Sequence, residues 1–167
     1  MKLVKSFSLS VILKLAAALF AIVAFVMMFP KQILVDLGGS SITYGIGDIT
    51  FINGGIVVGY ILAIVAAIVI IVGSIFEFKN KMVNLIVLGV GAVLVLVGTI
   101  MIFCVPSMIS GAVENCEPSG ATELAVALAI AGGKVSASAG PVIGGICGIV
   151  SVLAVAGGVV VEKFLKK

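Results

Sequence analysis

IVVGYILAIVAAIVIIVGSIF, residues 56–76, holds no charged side chain and no polar face. A helix at the surface of a soluble domain shows an apolar stripe backed by polar residues, and this stretch has no such second side. Its length matches the roughly 20 residues that cross a ~30 Å hydrocarbon core as a helix. Three more stretches share its character: residues 11–29, broken only by Lys14, then 82–105, then 139–161. In lipid only helices and closed barrels satisfy every backbone group, and apolar runs this long are helical rather than alternating. The expected fold is an all-α membrane protein, a four-helix transmembrane bundle forming one domain over residues 1–167. Composition agrees, with 62% of the chain hydrophobic and 10% charged. Too little polar surface exists to cover a water-soluble globule. A soluble enzyme and a nucleic-acid-binding domain are thereby excluded, and the first expected partner is the lipid bilayer.

Lysines set the orientation. With the N-terminus inside, Lys2, Lys5, Lys14, Lys79, Lys81, Lys163, Lys166 and Lys167 fall on the cytoplasmic side. Only Lys31 and Lys134 fall outside, a clear positive-inside bias. The expectation is a multi-pass protein of the cell membrane with both termini cytoplasmic. A short inner turn lies at 77–81 and a cytoplasmic tail at 162–167, with outer loops at 30–55 and 106–138. Lys2 and Lys5 ahead of an apolar run also suit a signal peptide. That run is too long for one, however, and Pro30-Lys31-Gln32 is not a small-residue cleavage site, so the segment reads as a retained span. Pro30 and Pro106 mark the outer ends of the first and third helices.

The first outer loop is β-prone. Residues 33–37, 42–44 and 49–52 read as short strands joined by glycine turns at 38–39 and 45–47. In the second loop, LAVALAIA (residues 124–131) alternates as a strand would, yet its alanines favour a short helix at the membrane surface. Helix is the preferred reading. Together the loops predict a small, partly β, extracytoplasmic cap. Both halves run helix, Pro, long loop, Gly pair, helix, which suits either a repeat of two hairpins or convergent membrane punctuation.

In outline the chain resembles small tetraspan proteins of the claudin kind: inside termini, a β-prone first outer loop, a short inner turn and a second outer loop. The resemblance is one of topology. The claudin first-loop signature consists of tryptophans and a cysteine pair, and residues 31–55 contain neither, so no residue role is carried over.

The residues offer little chemistry. The chain lacks His, Arg and Trp, and with them the commonest general base and metal ligand and the bidentate phosphate fork. No catalytic, cofactor-binding or metal-ligating residue is expected, and no cofactor. What stands out instead is small residues on helix faces: Gly140, Gly144 and Gly148; Gly59, Ala63 and Gly73; Ala17 and Ala21. Such faces let helices approach closely, either inside the chain's own bundle or against another chain. Gly140, Gly144 and Gly148 are the best candidates for contact with another chain. Lys14 lies near a helix end, where its stem can snorkel to water. Glu77 with Lys81, and Glu162 with Lys166, form favourable i,i+4 pairs. Cys104 and Cys116 are a candidate disulfide if the outer compartment is oxidising, against the alternative of unpaired thiols. Ser74, Thr99 and Ser151 are modest polar linings for a pore. The expected role is non-enzymatic, structural or accessory, acting through helix packing and outer-loop contacts with another membrane protein or with itself. The alternative is a small oligomeric transporter or channel subunit for a small solute or ion.

Overall fold

The structure, a computed structural model, describes residues 2–3, 8–77 and 81–165. In chain order the elements are β1 (Lys2–Leu3), α1 (Leu9–Val26), β2 (Ile33–Asp36), β3 (Ser41–Tyr44), α2 (Ile46–Ile49), α3 (Ile56–Ile75) and β4 (Phe76–Glu77). There follow α4 (Lys81–Phe103), α5 (Val105–Ala112), a 3₁₀ turn at Val113–Asn115, α6 (Ala121–Gly132), β5 (Lys134–Ala137) and α7 (Ala139–Leu165). Helices α1, α3, α4 and α7 are each long and apolar enough to cross a membrane. They make a square in which α1 packs on α3 and α7, and α4 on α3 and α7. Sequence neighbours run antiparallel, so α1 starts and α7 finishes at one end, and a cap covers the other.

Helix boundaries follow local chemistry. Ser8 opens α1, its Oγ accepting from the Val11 N–H, as an N-cap side chain does. That helix stops at Val26, short of the expected 29, and tightens through Met28 N–H to Phe25 O and Phe29 N–H to Val26 O before Pro30. Pro106 does more than end α4: it sits in the first turn of α5, where a missing N–H costs nothing. At the uncapped end, β1 pairs with β4, Leu3 opposite Phe76.

The cap is built on a three-stranded antiparallel sheet of order β3-β2-β5. Ile33 lies opposite both Tyr44 and Ala137, and Val35 opposite both Ile42 and Val135. Alternation therefore sends Ile33 and Val35 to one face, where they are buried with Ile49, Ile52, Val105, Ile109, Val126 and Ile130. Ile56, Tyr60 and Ile102 from the bundle join the same cluster, so the cap core is continuous with the helices. A second cluster, where Ala17, Ala18 and Ala21 meet Ala66, Ala67 and Ile70, fills the middle of the bundle.

Two expectations for the loops change. Residues 49–52 are not a strand. The Asp48 carboxylate accepts from Gly45 N–H and starts a helical turn, and Ile49 and Ile52 reach the core at spacing three rather than two. The strand from the second loop is β5, just after the glycines that end α6, while 124–131 is helical as preferred. The two long connections also fold differently, one as a hairpin with a short helix and the other as two helices and a strand, so the cap carries no internal repeat. The turn between β2 and β3 needs Gly38, whose φ of 78° lies in the left-handed region.

Candidate functional site

Every small residue singled out above is buried by the chain's own helices. On α3, Gly59 lies against α4, where an added Cβ would sit 2.9 Å from Met101 Cβ and 3.1 Å from Gly98 O. Gly73 meets Leu88 in the same seam, and Ala63 N lies 3.5 Å from the Cβ position of Gly98. On α7, Gly140 faces Gln32 and Met27, Gly144 faces Met27 and Ala24, and Gly148 faces Thr99 so closely that any Cβ would overlap its Oγ1. Ala17 accepts a bond from Ser151 Oγ at 2.7 Å, and Ala21 is fully buried. The stripe expected to meet another chain is thus occupied by α1 and α4. Its residues recur at the spacing that fits two neighbouring helices of one bundle.

At the cap end sits a polar knot that inspection of the sequence did not single out. Gln32 is fully buried. Its Nε2 donates to the carbonyls of Met27, Met28 and Pro30 at 3.0, 2.8 and 2.7 Å, capping the end of α1. Its Oε1 accepts from Tyr60 Oη on α3. Its backbone joins both loops, with Gln32 N–H donating to Tyr44 O and Gln32 O accepting from Ser138 N–H. Gly140 makes this possible, because a Cβ there would lie 2.5 Å from Gln32 Nε2. Tyr60→Phe orphans one buried acceptor and should lower stability by about 1–3 kcal/mol. Gln32→Leu uncaps three carbonyls and the tyrosine hydroxyl, so its thermal midpoint in mild detergent should fall further. Equal midpoints for the two variants would refute the cap role of Gln32.

At the other end Lys14 does not snorkel. It is 2% exposed and forms an ion pair with Glu162 of α7. Ser10 Oγ donates to Gly158 O at 2.8 Å and lies 3.4 Å from Glu162 Oε2. Gly158 gives the lysine stem its path, its Cβ position being 2.8 Å from Lys14 Cγ. An apolar helix end cannot leave an ammonium unpaired, and a carboxylate one helix away is nearer than open water. Lys166 and the Glu77 side chain lie outside the described residues, and the two predicted i,i+4 pairs with them.

The hydroxyls expected to line a pore do not converge. Ser74 and Thr99 donate to their own helices, at Ile70 O and Val95 O, while Ser151 bonds across to α1. Gly98 packs beside Leu62 and Ala63, so Thr99 lies over ten residues along α3 from Ser74, roughly 20 Å at 1.5 Å per residue. Cys104 and Cys116 are free thiols, not a disulfide. Helix α5 and the 3₁₀ turn hold them apart by well over ten ångströms, beyond the ~7 Å limit for bridged Cα atoms. Cys116 Sγ instead donates to Val113 O.

The cap surface is mostly polar at the tip of the β2–β3 hairpin, where Asp36, Gly38 and Ser41 border a shallow open depression. Glu123 accepts from Ser119 N–H at 2.6 Å and Ser119 Oγ at 2.7 Å, which holds its carboxyl below the usual carboxylate range. A depressed carboxyl contributes stability above its unfolded value and loses it as pH falls through the folded one. The Ser119–Glu123 contact at the start of α6 should therefore survive mild acidification. The Glu123 carboxyl resonance should titrate at higher pH in Ser119→Ala, and an unchanged midpoint would show that the serine has no such effect. Among the described residues no three His, Cys, Asp or Glu side chains come together as a metal-holding group. Comparison of the chain with protein families, with curated proteins and with solved structures finds no match.

Proposed function

We propose that this chain is a multi-pass protein of the cell membrane, with both termini cytoplasmic and the cap outside, and that its role is structural or accessory rather than enzymatic. The lysine distribution supports the orientation. The observation that carries the role is the contrast between the bundle and its cap. The small-residue faces and buried hydroxyls of the bundle are satisfied within the chain. The cap, by contrast, folds over a core it shares with the end of the bundle and holds an exposed surface in a defined shape. Such a molecule acts by presenting that surface to another membrane protein or to a second copy. Cross-linking in native membranes, gentle solubilisation and identification of what is recovered test this reading. The expected product is a discrete partner linked through cap residues. Recovery of the chain alone and monomeric would overturn it.

The second reading is a small transporter or channel subunit. The Lys14–Glu162 pair, with its lysine buried, favours it, because ionisable side chains within spans commonly mark transport paths. Solute or ion flux in proteoliposomes, abolished by Glu162→Gln in a still-folded protein, would establish it over the accessory role.

A further inference from the structure

Helix α4 begins and α7 ends at the uncapped end, and each carries an exposed lysine there, Lys81 and Lys163. Phe103 and Thr99 of α4 meet Gly145 and Gly148 of α7, which fixes the antiparallel register of the two helices. Carried on at equal rise, that register puts Lys163 level with Asn84, one turn from Lys81, an axial offset of about 5 Å. Both lysines lie on the facing stripes. Lys81 repeats at heptad intervals from Ile102, which packs on Gly144, and Lys163 follows Gly145 in alternate steps of four and three. The two ammonium groups therefore share the mouth of the α4·α7 seam. Among the described residues neither forms an ion pair, and Glu162 beside Lys163 turns instead to Lys14 on α1. Of the seams in the square this is the least extensive. Exposed apolar side chains flank it: Leu85 and Leu96 on α4, Leu153 and Val160 on α7.

We propose that this mouth binds an anionic phospholipid, with its phosphate between Lys81 and Lys163 and an acyl chain lying along the seam. The proposal goes beyond the accessory and transport roles and rests on the membrane placement of the spans. Charge complementarity selects the occupant: two exposed cations one turn apart suit a single phosphate, which each ammonium attracts as a point charge. The apolar flanks select its source. A free anion gains nothing from Leu85 or Val160, whereas a lipid lays its chain on them while its headgroup meets the lysines. Basic residues just beyond a span attract anionic headgroups in this way. The cap end differs, because Lys134 stands opposite Asp36 in the sheet and has a carboxylate neighbour.

The test first floats the full chain with phosphatidylcholine vesicles. The chain is then released from vesicles of equal phosphatidylcholine and phosphatidylglycerol, and native mass spectrometry identifies the lipid that stays bound. Phosphatidylglycerol should be retained in preference. Lys81→Gln with Lys163→Gln should lower that retention by about tenfold or more, as expected for two lysines lost at a lipid surface. Lys81→Arg with Lys163→Arg keeps the charge and should keep the lipid. Phosphatidylglycerol should also raise the thermal midpoint of the parent and not that of the double Gln variant, and the two should match in phosphatidylcholine alone. Lys79→Gln with Lys166→Gln and Lys167→Gln removes more charge yet should lower retention by about twofold at most, because solvated charges off the seat are screened by salt. An equal loss from that triple variant overturns the seat in favour of diffuse attraction. Equal retention of the two lipids, or a double Gln variant that retains as the parent does, overturns anionic-lipid binding. Displacement by free glycerol phosphate overturns a lipid as the source. A chain that fails to float overturns the membrane placement itself, whereas one that floats without preference overturns the lipid site alone.

Discussion

Replacing Glu162 by Gln should destabilise the protein by about 1.5–3 kcal/mol, the range for a hydrogen bond to a charged group, because only the lysine of this pair is buried. Lys14→Met should cost less. The asymmetry follows from burial: Lys14 is 2% exposed, whereas the Glu162 side chain is 37% exposed. Without the carboxylate, an ammonium remains among apolar helices, where an unpaired charge is strongly disfavoured. Without the ammonium, the carboxylate keeps its route to water. The double variant Lys14→Met with Glu162→Leu should lie close to wild type, because well-packed apolar replacements of buried pairs are often neutral or better. Denaturation of these proteins together with Glu162→Leu alone, in the same mild detergent, closes the cycle of Lys14→Met, Glu162→Leu and their double variant and gives the coupling between the two positions. Single costs that simply add would show that the two side chains act independently and that the contact carries no weight.

Gly98→Leu should separate α3 from α4. A Cβ at Gly98 would lie 2.7 Å from Gly59 O, 3.3 Å from Leu62 Cβ and 3.5 Å from Ala63 N. None of these atoms belongs to a flexible side-chain end, so relief requires the helices to move apart. Gly98→Ala alone should cost about 1–3 kcal/mol, the range for overpacking a dense interior, and Leu more. The informative control is another glycine pair. Gly157 and Gly158 are neighbours of identical type on α7, yet nothing lies within 4 Å of the Cβ position at 157, and Lys14 Cγ lies 2.8 Å from that at 158. Gly157→Ala should be neutral or gain up to about 1 kcal/mol of helix propensity, while Gly158→Ala should lower the thermal midpoint. Equal behaviour of the two would contradict the packing of α1 against α7.

These contrasts mark the boundary of what the amino-acid sequence discloses. The four long helices were legible because the length and purity of an apolar run are local properties of the sequence. Strands β2 and β3 were legible through the β-branched residues of 33–36 and 41–44 and the glycines between them. Strand β5 was not, because Lys-Val-Ser-Ala has little strand character and is held by partners on β2. Ile49 and Ile52 look like strand residues until Asp48 bends the backbone into a turn. Among glycines, open and closed positions read alike, since the difference lies on the opposing helix. Lys14 and Glu162 are 148 positions apart, and no periodicity links them. Gln32 follows a proline and a lysine and looks like linker, although its amide closes one helix and holds another. Its burial depends on Gly140, more than 100 residues later.

That separation also orders the making of the protein. Strand β2 is the centre of the sheet, with β3 on one side and β5 on the other. The first neighbour arrives within a few residues, but Ala137, opposite Ile33, is about 100 residues further along. At synthesis rates of roughly 5–20 residues per second, β2 waits roughly 5–20 seconds with one edge bare. During that interval α3 and α4 must already be laid down. A nascent chain halted before residue 134 therefore exposes an unpaired strand edge, which invites mispairing, while a finished chain hides it. The central position of β2 thus makes a closed sheet a record that synthesis has reached the last helix.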